Sequence, residues 1–271
     1  MTMTFSQHDN TGPNGAFDRI DSDFYLTDAN NSGKPVKEEF HILREKLRMS
    51  LTEGLIERSR INNLLRKSVD QFPATLISGR AGTGKTAVAA GFAAGIENVS
   101  WYSVESTDIE WPVFSKYFSA SLAKSVSGTG TPLLNGSYEK DPSETEIARF
   151  LINRFSWAYN GPAVGPSLIV LDDIHHIFDA TWFDDFFNLL LYSLPGKTHV
   201  LLLCRSKPPT PLWRLRSKQM LNVIDEKVIA FDADETKCLF DALGRPAEAA
   251  KRAHRLCFGR ISKILEFAGD I

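Results

Sequence analysis

The chain has 271 residues, room for one large domain or a core with a small appendage. Its 43% hydrophobic and 24% charged content is that of a globular protein with material for a sizeable core. A net charge of −2 argues against a protein built mainly to coat nucleic acid or anionic membrane, and no apolar run approaches the ~20 residues of a membrane helix. The N-terminus, MTMTFSQHDNTGPNG, has neither the basic flank nor the apolar stretch of a signal peptide. The three cysteines, Cys204, Cys238 and Cys257, lack metal-ligand spacing, so reduced thiols in a cytoplasm are expected.

Residues 1–36 are rich in Asn, Asp, Ser, Gly and Thr and predict a mobile tail. FHILREKLRM is compatible with a helix, and LIERSRINNLLRKSVDQ carries Leu55, Ile61, Leu64 and Leu65 at roughly helical spacing. ATLISG is a short apolar run entering a glycine-rich loop, and the alanine-rich TAVAAGFAAG reads as the helix after it. NVSWYSV (98–104) predicts a second strand and PVFSKYFSASLAKSV (112–126) a helix with Phe114, Tyr117, Phe118 and Leu122 on one face. A surface loop is expected over 127–145 and a helix over 146–159. SLIVLDD (167–173) and HVLLLCR (199–205) read as strands buried on both faces, with TWFDDFFNLLLYSL (181–194) helical between them. EKVIAF (226–231) reads as the fifth strand. DADETKCLFDAL, capped by Asp232 or Asp234, and AEAAKRAHRLCFGRISKILEFAG read as helices. Alternating strands and helices imply an α/β fold with a parallel sheet covered on both faces. The expected organisation is a tail over 1–36, a core over 37–231 and a helical subdomain over 232–271.

The segment Gly79–Thr86, GRAGTGKT, meets the pattern G-x-x-x-x-G-K-[ST] between a predicted strand and a predicted helix. Such a loop curls so that its backbone N–H groups converge on phosphate oxygens. Gly79, Gly82 and Gly84 permit the dihedrals and the close approach, while Arg80, Ala81, Thr83 and Ala87 complete the loop and the helix start. Lys85 is expected to reach the β- and γ-phosphates, and Thr86 to offer its hydroxyl to Mg²⁺. The expected ligands are therefore ATP and Mg²⁺.

Asp172 and Asp173 end a buried strand, where this chemistry needs an acid. Asp172 is assigned to the metal. Asp173 either orients or deprotonates the attacking water, or serves as a helix cap or loop ion pair. His175 either senses phosphate or water or packs as an ordinary histidine, and the same choice holds for His176. Arg205, ending the HVLLLCR strand, is either a γ-phosphate sensor with a catalytic role or a solvated strand-end arginine. The stretch 186–224 has no Asp or Glu but holds Lys197, Arg205, Lys207, Arg214, Arg216 and Lys218. A second cluster comprises Lys251, Arg252, Arg255, Arg260 and Lys263. Both face nucleotide phosphates, a neighbouring subunit or DNA, or are solvated faces.

REKLRMSLTEGLIERSRINNLL, GRAGTGKT, VSWYSVESTDIEWPVFSKYFSASL, IVLDDIHHI, LPGKTHVLLLCRSKPPTPLWRLRSKQML and FDADETKCLF follow one another in order. Together they resemble the ATPase module of the large LuxR-type regulators similar to the maltose-regulon activator, among the signal-transduction ATPases with numerous domains, over roughly residues 38–265. The resemblance implies a five-stranded parallel sheet of order 5-1-4-3-2, with the Arg205 strand between the loop strand and the acidic strand. It implies Lys85 and Thr86 at phosphate and metal, Asp172, Asp173 and His175 beside them, and Arg58 of ERSR near adenine and ribose. WRLR, with Arg214 and Arg216, matches a basic motif of the family. The family's Gly-Trp-Pro-like segment is replaced here by FGRISKIL, where Arg260 can instead reach phosphate as in related remodelling ATPases. The family's usual winged helix, repeat sensor and helix-turn-helix do not fit within 271 residues, so a fragment, or a minimal ATPase with a separate partner, is expected. The functional expectation is an ATP-dependent switch with slow hydrolysis that binds a protein partner or itself. The alternative is a DNA-transaction ATPase using the basic clusters. No membrane partner is expected.

Overall fold

Strands that are mostly apolar are stable only when both faces are covered, and ATLIS, LIVLD and HVLLLC are of that kind. In the computed structural model, which describes residues 42–49, 56–125, 140–160 and 167–269, these segments are β1 (Ala74–Ser78), β3 (Leu168–Asp172) and β4 (His199–Cys204), buried along their whole length. With β2 (Val99–Ser103) and β5 (Leu221–Asp225) they form a parallel sheet of order β2-β3-β4-β1-β5. The inferred sheet order 5-1-4-3-2 is this one. Strand β4 lies between β1 and β3, with Ser78 opposite Cys204 and Leu171 opposite Leu202.

Side chains alternate across the sheet, and each face has its own cover. On one face Ile77, Trp101, Val170, Leu201 and Leu203 pack under α1 (Ser59–Gln71) and α2 (Lys85–Ala93), through Ile61, Leu65, Val88, Ala89 and Phe92. The small alanines of α2 let its backbone lie close to the strands. Helices α3 (Trp111–Ser125), α4 (Glu144–Asn160) and α5 (Phe183–Ser193) carry an aromatic cluster. There Trp111, Phe114, Phe118, Phe150, Trp182 and Phe186 meet with centroids 4.9–6.1 Å apart, many of them edge to face.

A buried polar chain ties the N-terminal ends of β1, β4 and β5 to α1. Phe72 O can only accept, so His199 Nδ1 carries the proton (2.8 Å) and Nε2 accepts from the Thr75 hydroxyl (2.9 Å). Thr75 then accepts from Ser68, which accepts from Asn222 Nδ2 (2.6 and 2.8 Å). Every donor in the chain has an acceptor, and burial pushes His199 down to about 4.

Three expectations are corrected and one helix is added. EKVIAF is not the fifth strand. That strand is β5, five residues earlier, because the Asp225 carboxylate accepts from Lys227 N and Val228 N and starts the single turn α7 (Glu226–Ile229). REKL of FHILREKLRM forms one 3-10 turn at Arg44–Leu47 in place of a helix. The short helix α6 (Leu212–Ser217), absent from the sequence reading, follows β4. The last predicted helix is two, α9 (Ala247–Cys257) and α10 (Ile261–Gly269), separated by Phe258 and Gly259 at φ 51° and 73°. A Cβ on Gly259 would collide with Phe231 O, so only glycine fits that joint.

Helix α8 (Ala233–Ala242) starts at Asp232, whose carboxylate accepts from Glu235 N (2.8 Å) while Glu235 accepts from Asp232 N (3.1 Å). Helices α8, α9 and α10 share a small core of Phe231, Leu239, Phe240, Ala250, Ala253 and Ile264. The expected tail over 1–36 and most of the expected loop over 127–145 lie outside the described residues. No described helix is long and apolar enough to cross a membrane.

Candidate functional site

Parallel strands bring their C-terminal ends to one edge, and the loops leaving β1, β3 and β4 converge there. The loop after β1 turns through Gly82 and Gly84, at φ 75° and 87°, into α2. Thr83 Oγ1 donates to Arg80 O (2.9 Å), which braces the turn from inside. Gly82 is needed twice over. Its φ is left-handed, and a Cβ there would lie 2.8 Å from Ser262 Cβ.

Lys85 is 6% exposed, and its ammonium donates to Gly79 O (2.6 Å) and Arg80 O (3.1 Å). Burial lowers its pKa against the pull of Asp173 and Asp172. Thr86 Oγ1 donates to Asp172 Oδ2 (2.9 Å), so loop hydroxyl and strand-end carboxylate point at one another. Asp172 is 5% exposed. Burial raises it to about 6, opposed by the Thr86 hydroxyl and reinforced by Asp173.

Asp173 adopts φ 53°, a left-handed conformation rare outside glycine and asparagine-like residues. Its carboxylate lies 3.5 Å from Arg205 Nη2 and 3.6 Å from His175 Nδ1. These are loose contacts, and the group stays about one-third exposed. The His176 ring lies 4.3 Å from that of His175, whose pKa is lowered by burial and then by this neighbour. Lys85, Thr86, Asp172, Asp173, His175 and Arg205 therefore gather at one sheet edge. Arg214 and Arg216 lie on α6.

Arg58 stands elsewhere. It is 9% exposed, ion-paired to Glu235 (2.7 Å), and lies 4.1 Å from the Phe231 ring centre. Its Nε and Nη1 have no hydrogen-bond partner among the described residues. Arg58 lines an apolar cavity of about 300 Å³, together with Ile56, Gly84, Ala87, Phe231 and Ile261. Arg80 turns outward to Glu226 (2.9 Å), and this pairing lowers the Glu226 carboxyl. Arg260 Nη2 donates to Ala81 O (2.6 Å), and Ser262 N donates to Gly82 O (3.1 Å), so the start of α10 rests on the glycine-rich loop.

The sequence reading missed Glu226, Glu235 and Ser262. Glu226 crowds Gly79, where a Cβ would lie 2.7 Å away. Glu235 joins Arg58 and Arg60 (2.7 and 2.9 Å). The spacing Asp232-x-x-Glu235 is the capping-box signature and is a signal for Glu235. No local pattern points to Ser262 or Glu226.

No protein-family model matches the chain. Among solved structures it is similar to a Walker-type ATPase of Pyrococcus abyssi, at 14% identity and a TM-score of 0.51, covering 79% of this chain and 67% of that one. This likeness is one of fold, and with the sheet order it makes the fold that of the P-loop ATPases. A signal-transduction ATPase with a tetratricopeptide repeat sensor from Pyrococcus horikoshii gives 18% identity and a TM-score of 0.46, covering 80% of this chain. The chain spans 30% of that protein's length. AMPPCP-bound DnaA from Aquifex aeolicus gives 16% identity and 0.41, covering 79% and 62% of the two chains. Scores below 0.5 add nothing to the assignment of fold.

Proposed function

We propose that the chain is an ATP- and Mg²⁺-binding switch of the signal-transduction type, resetting by slow hydrolysis and engaging a partner or a second copy in one nucleotide state. One observation carries this reading: Thr86 Oγ1 and Asp172 Oδ2 meet at 2.9 Å beside a glycine-rich loop with a buried lysine. The donor set fits the ligands. Two hard oxygens suit a small cation that keeps most of its waters, and the backbone N–H groups of Gly82–Thr86 with Lys85 suit a triphosphate. When bound, Mg²⁺ supplies charge neutralisation on the phosphate oxygens.

The chain's own groups divide the remaining work. Lys85 exchanges its loop carbonyls for phosphate oxygens. Asp173, partly exposed and held by two loose contacts, is free to accept a proton from water or orient it. Arg205 lies opposite Asp173 from β4, where it can favour ATP over ADP by hydrogen bonds to the extra phosphate. The apolar cavity beside Gly84 and Ala87 offers room for the base, with Arg58 at its wall. Without a ligand that binds the two states differently nothing would switch. The contacts of Arg260 and Ser262 with the loop supply a link, because rearrangement of Ala81 and Gly82 pulls directly on α10.

The sequence motifs, more than the fold, support the signal-transduction assignment. Hydrogen exchange with and without Mg-ATP tests the switch. Amides of residues 261–269 are expected to gain protection together with those of the loop. A loop that becomes protected while α10 does not would contradict it.

A further inference from the structure

The two basic clusters of the sequence part company in the fold. In the second, Arg260 is occupied by Ala81 O and Lys251 pairs with Glu248 (3.2 Å), while Arg252, Arg255 and Lys263 are exposed. In the first, Lys197, Lys207, Arg214, Arg216 and Lys218 are all exposed, and none forms an ion pair among the described residues. No carboxylate occurs between residues 186 and 224 to offset them. Asp184 and Asp185 stand at the first turn of α5, and Asp184 already accepts from the Thr210 hydroxyl.

Two aromatic rings stand among these cations. Trp213 is 65% exposed, with the Arg214 guanidinium 5.3 Å from its centre. Tyr192, at the end of α5, is 54% exposed, with Lys218 Nζ 5.5 Å from its ring centre and 3.1 Å from its hydroxyl. Leu215, 3% exposed, pins α6 to the body of the protein, so the rings project from a fixed platform.

We propose that α6 and the end of α5 form a binding surface for an unpaired nucleic-acid strand, with phosphates on Arg214, Arg216 and Lys218 and bases stacked on Trp213 and Tyr192. Uncompensated positive charge selects a polyanion, and the flat rings beside it select one with flat faces. A duplex hides its base faces, and α6, about 9 Å long, is too short to follow a groove. The surface goes beyond the nucleotide reading and does not require turnover.

The test is fluorescence anisotropy of the full chain with a labelled oligothymidine of about 20 nucleotides and with a duplex of equal length. The strand is expected to bind more tightly than the duplex, with affinity falling as salt rises, by about 0.7 in the log–log slope per phosphate contact. Trp213→Ala is expected to weaken binding roughly tenfold or more, the loss of one stacked base, whereas Trp213→Phe keeps most of it. Arg214→Ala with Arg216→Ala is expected to flatten the salt slope by about 1.4. These side chains are exposed, so melting curves should stay unchanged. Lys85→Ala, which abolishes phosphate release on the nucleotide reading, should bind the strand as before, so the two readings fail separately. No binding at about 50 mM salt, or binding indifferent to these substitutions, would overturn the proposal. So would a self-association lost in the α6 variants without any binding of the strand, which would give the surface to a second copy.

Discussion

Asp172 sits in a conflict that its neighbours only partly resolve, since burial raises its carboxyl while the Thr86 hydroxyl steadies the anion. On the proposed reading such a site gains from a cation, and its loop lysine gains from phosphate. Lys85→Ala is therefore expected to abolish the rise in melting temperature produced by Mg-ATP. Asp173→Asn should keep that rise and lose phosphate release by about 100-fold or more, the usual worth of a positioned base. Thermal melts beside a phosphate assay separate the two roles. His199 makes a different prediction, about stability. Its folded pKa of about 4 lies below the ordinary 6.5, so the unfolded chain binds more protons between those values. Stability is fully present above about pH 6.5 and is lost as pH falls toward 4, by on the order of 3 kcal/mol. Protonating Nε2 also takes away the acceptor of Thr75. Urea titrations at pH 7 and 4.5 should show the loss, and His199→Gln should show much less of it.

At the scale of elements, the join between α1 and α8 rests on Glu235, which accepts from Arg58 and Arg60. Removing that carboxylate leaves Arg58 buried and unpaired. Glu235→Ala is expected to cost about 3–5 kcal/mol, read as a lower urea midpoint, and Arg58→Met combined with Glu235→Leu should recover much of it. A double variant no more stable than Glu235→Ala would show that the pairing is not what matters. The elements were legible where one local signal dominates. The double-sided burial of β1, β3 and β4, the glycine-rich loop and the acid-ended strand are each visible within a few residues. β5 was not, because the charged Asp225 and the amide Asn222 interrupt LNVID while EKVIAF holds an unbroken apolar run and looks more like a strand. Only the Asp225 cap, a competition between side chain and backbone, settles the matter. The loop's contact with α10 spans 180 residues of sequence, from Gly82 to Ser262. No periodicity encodes such a contact. The neighbourhood of Asp172, Asp173 and Arg205 followed from the strand order that the family resemblance implies, whereas Arg58's partner did not, since Glu235 lies 177 residues away in sequence.

The whole molecule is a P-loop fold whose glycine-rich loop is touched by α10 and whose cationic, aromatic surface lies on α6. The loop belongs to the sheet and α10 to the small helical core, so one ligand at the loop can bias both. The most direct measurement follows phosphate release and particle mass together on the purified protein with Mg-ATP, beside Lys85→Ala and Asp173→Asn. Slow release lost in both variants, with a mass or partner affinity that differs between ATP and ADP, is the predicted result. Release that survives in Lys85→Ala, or identical mass and partner affinity in the two nucleotides, would contradict it.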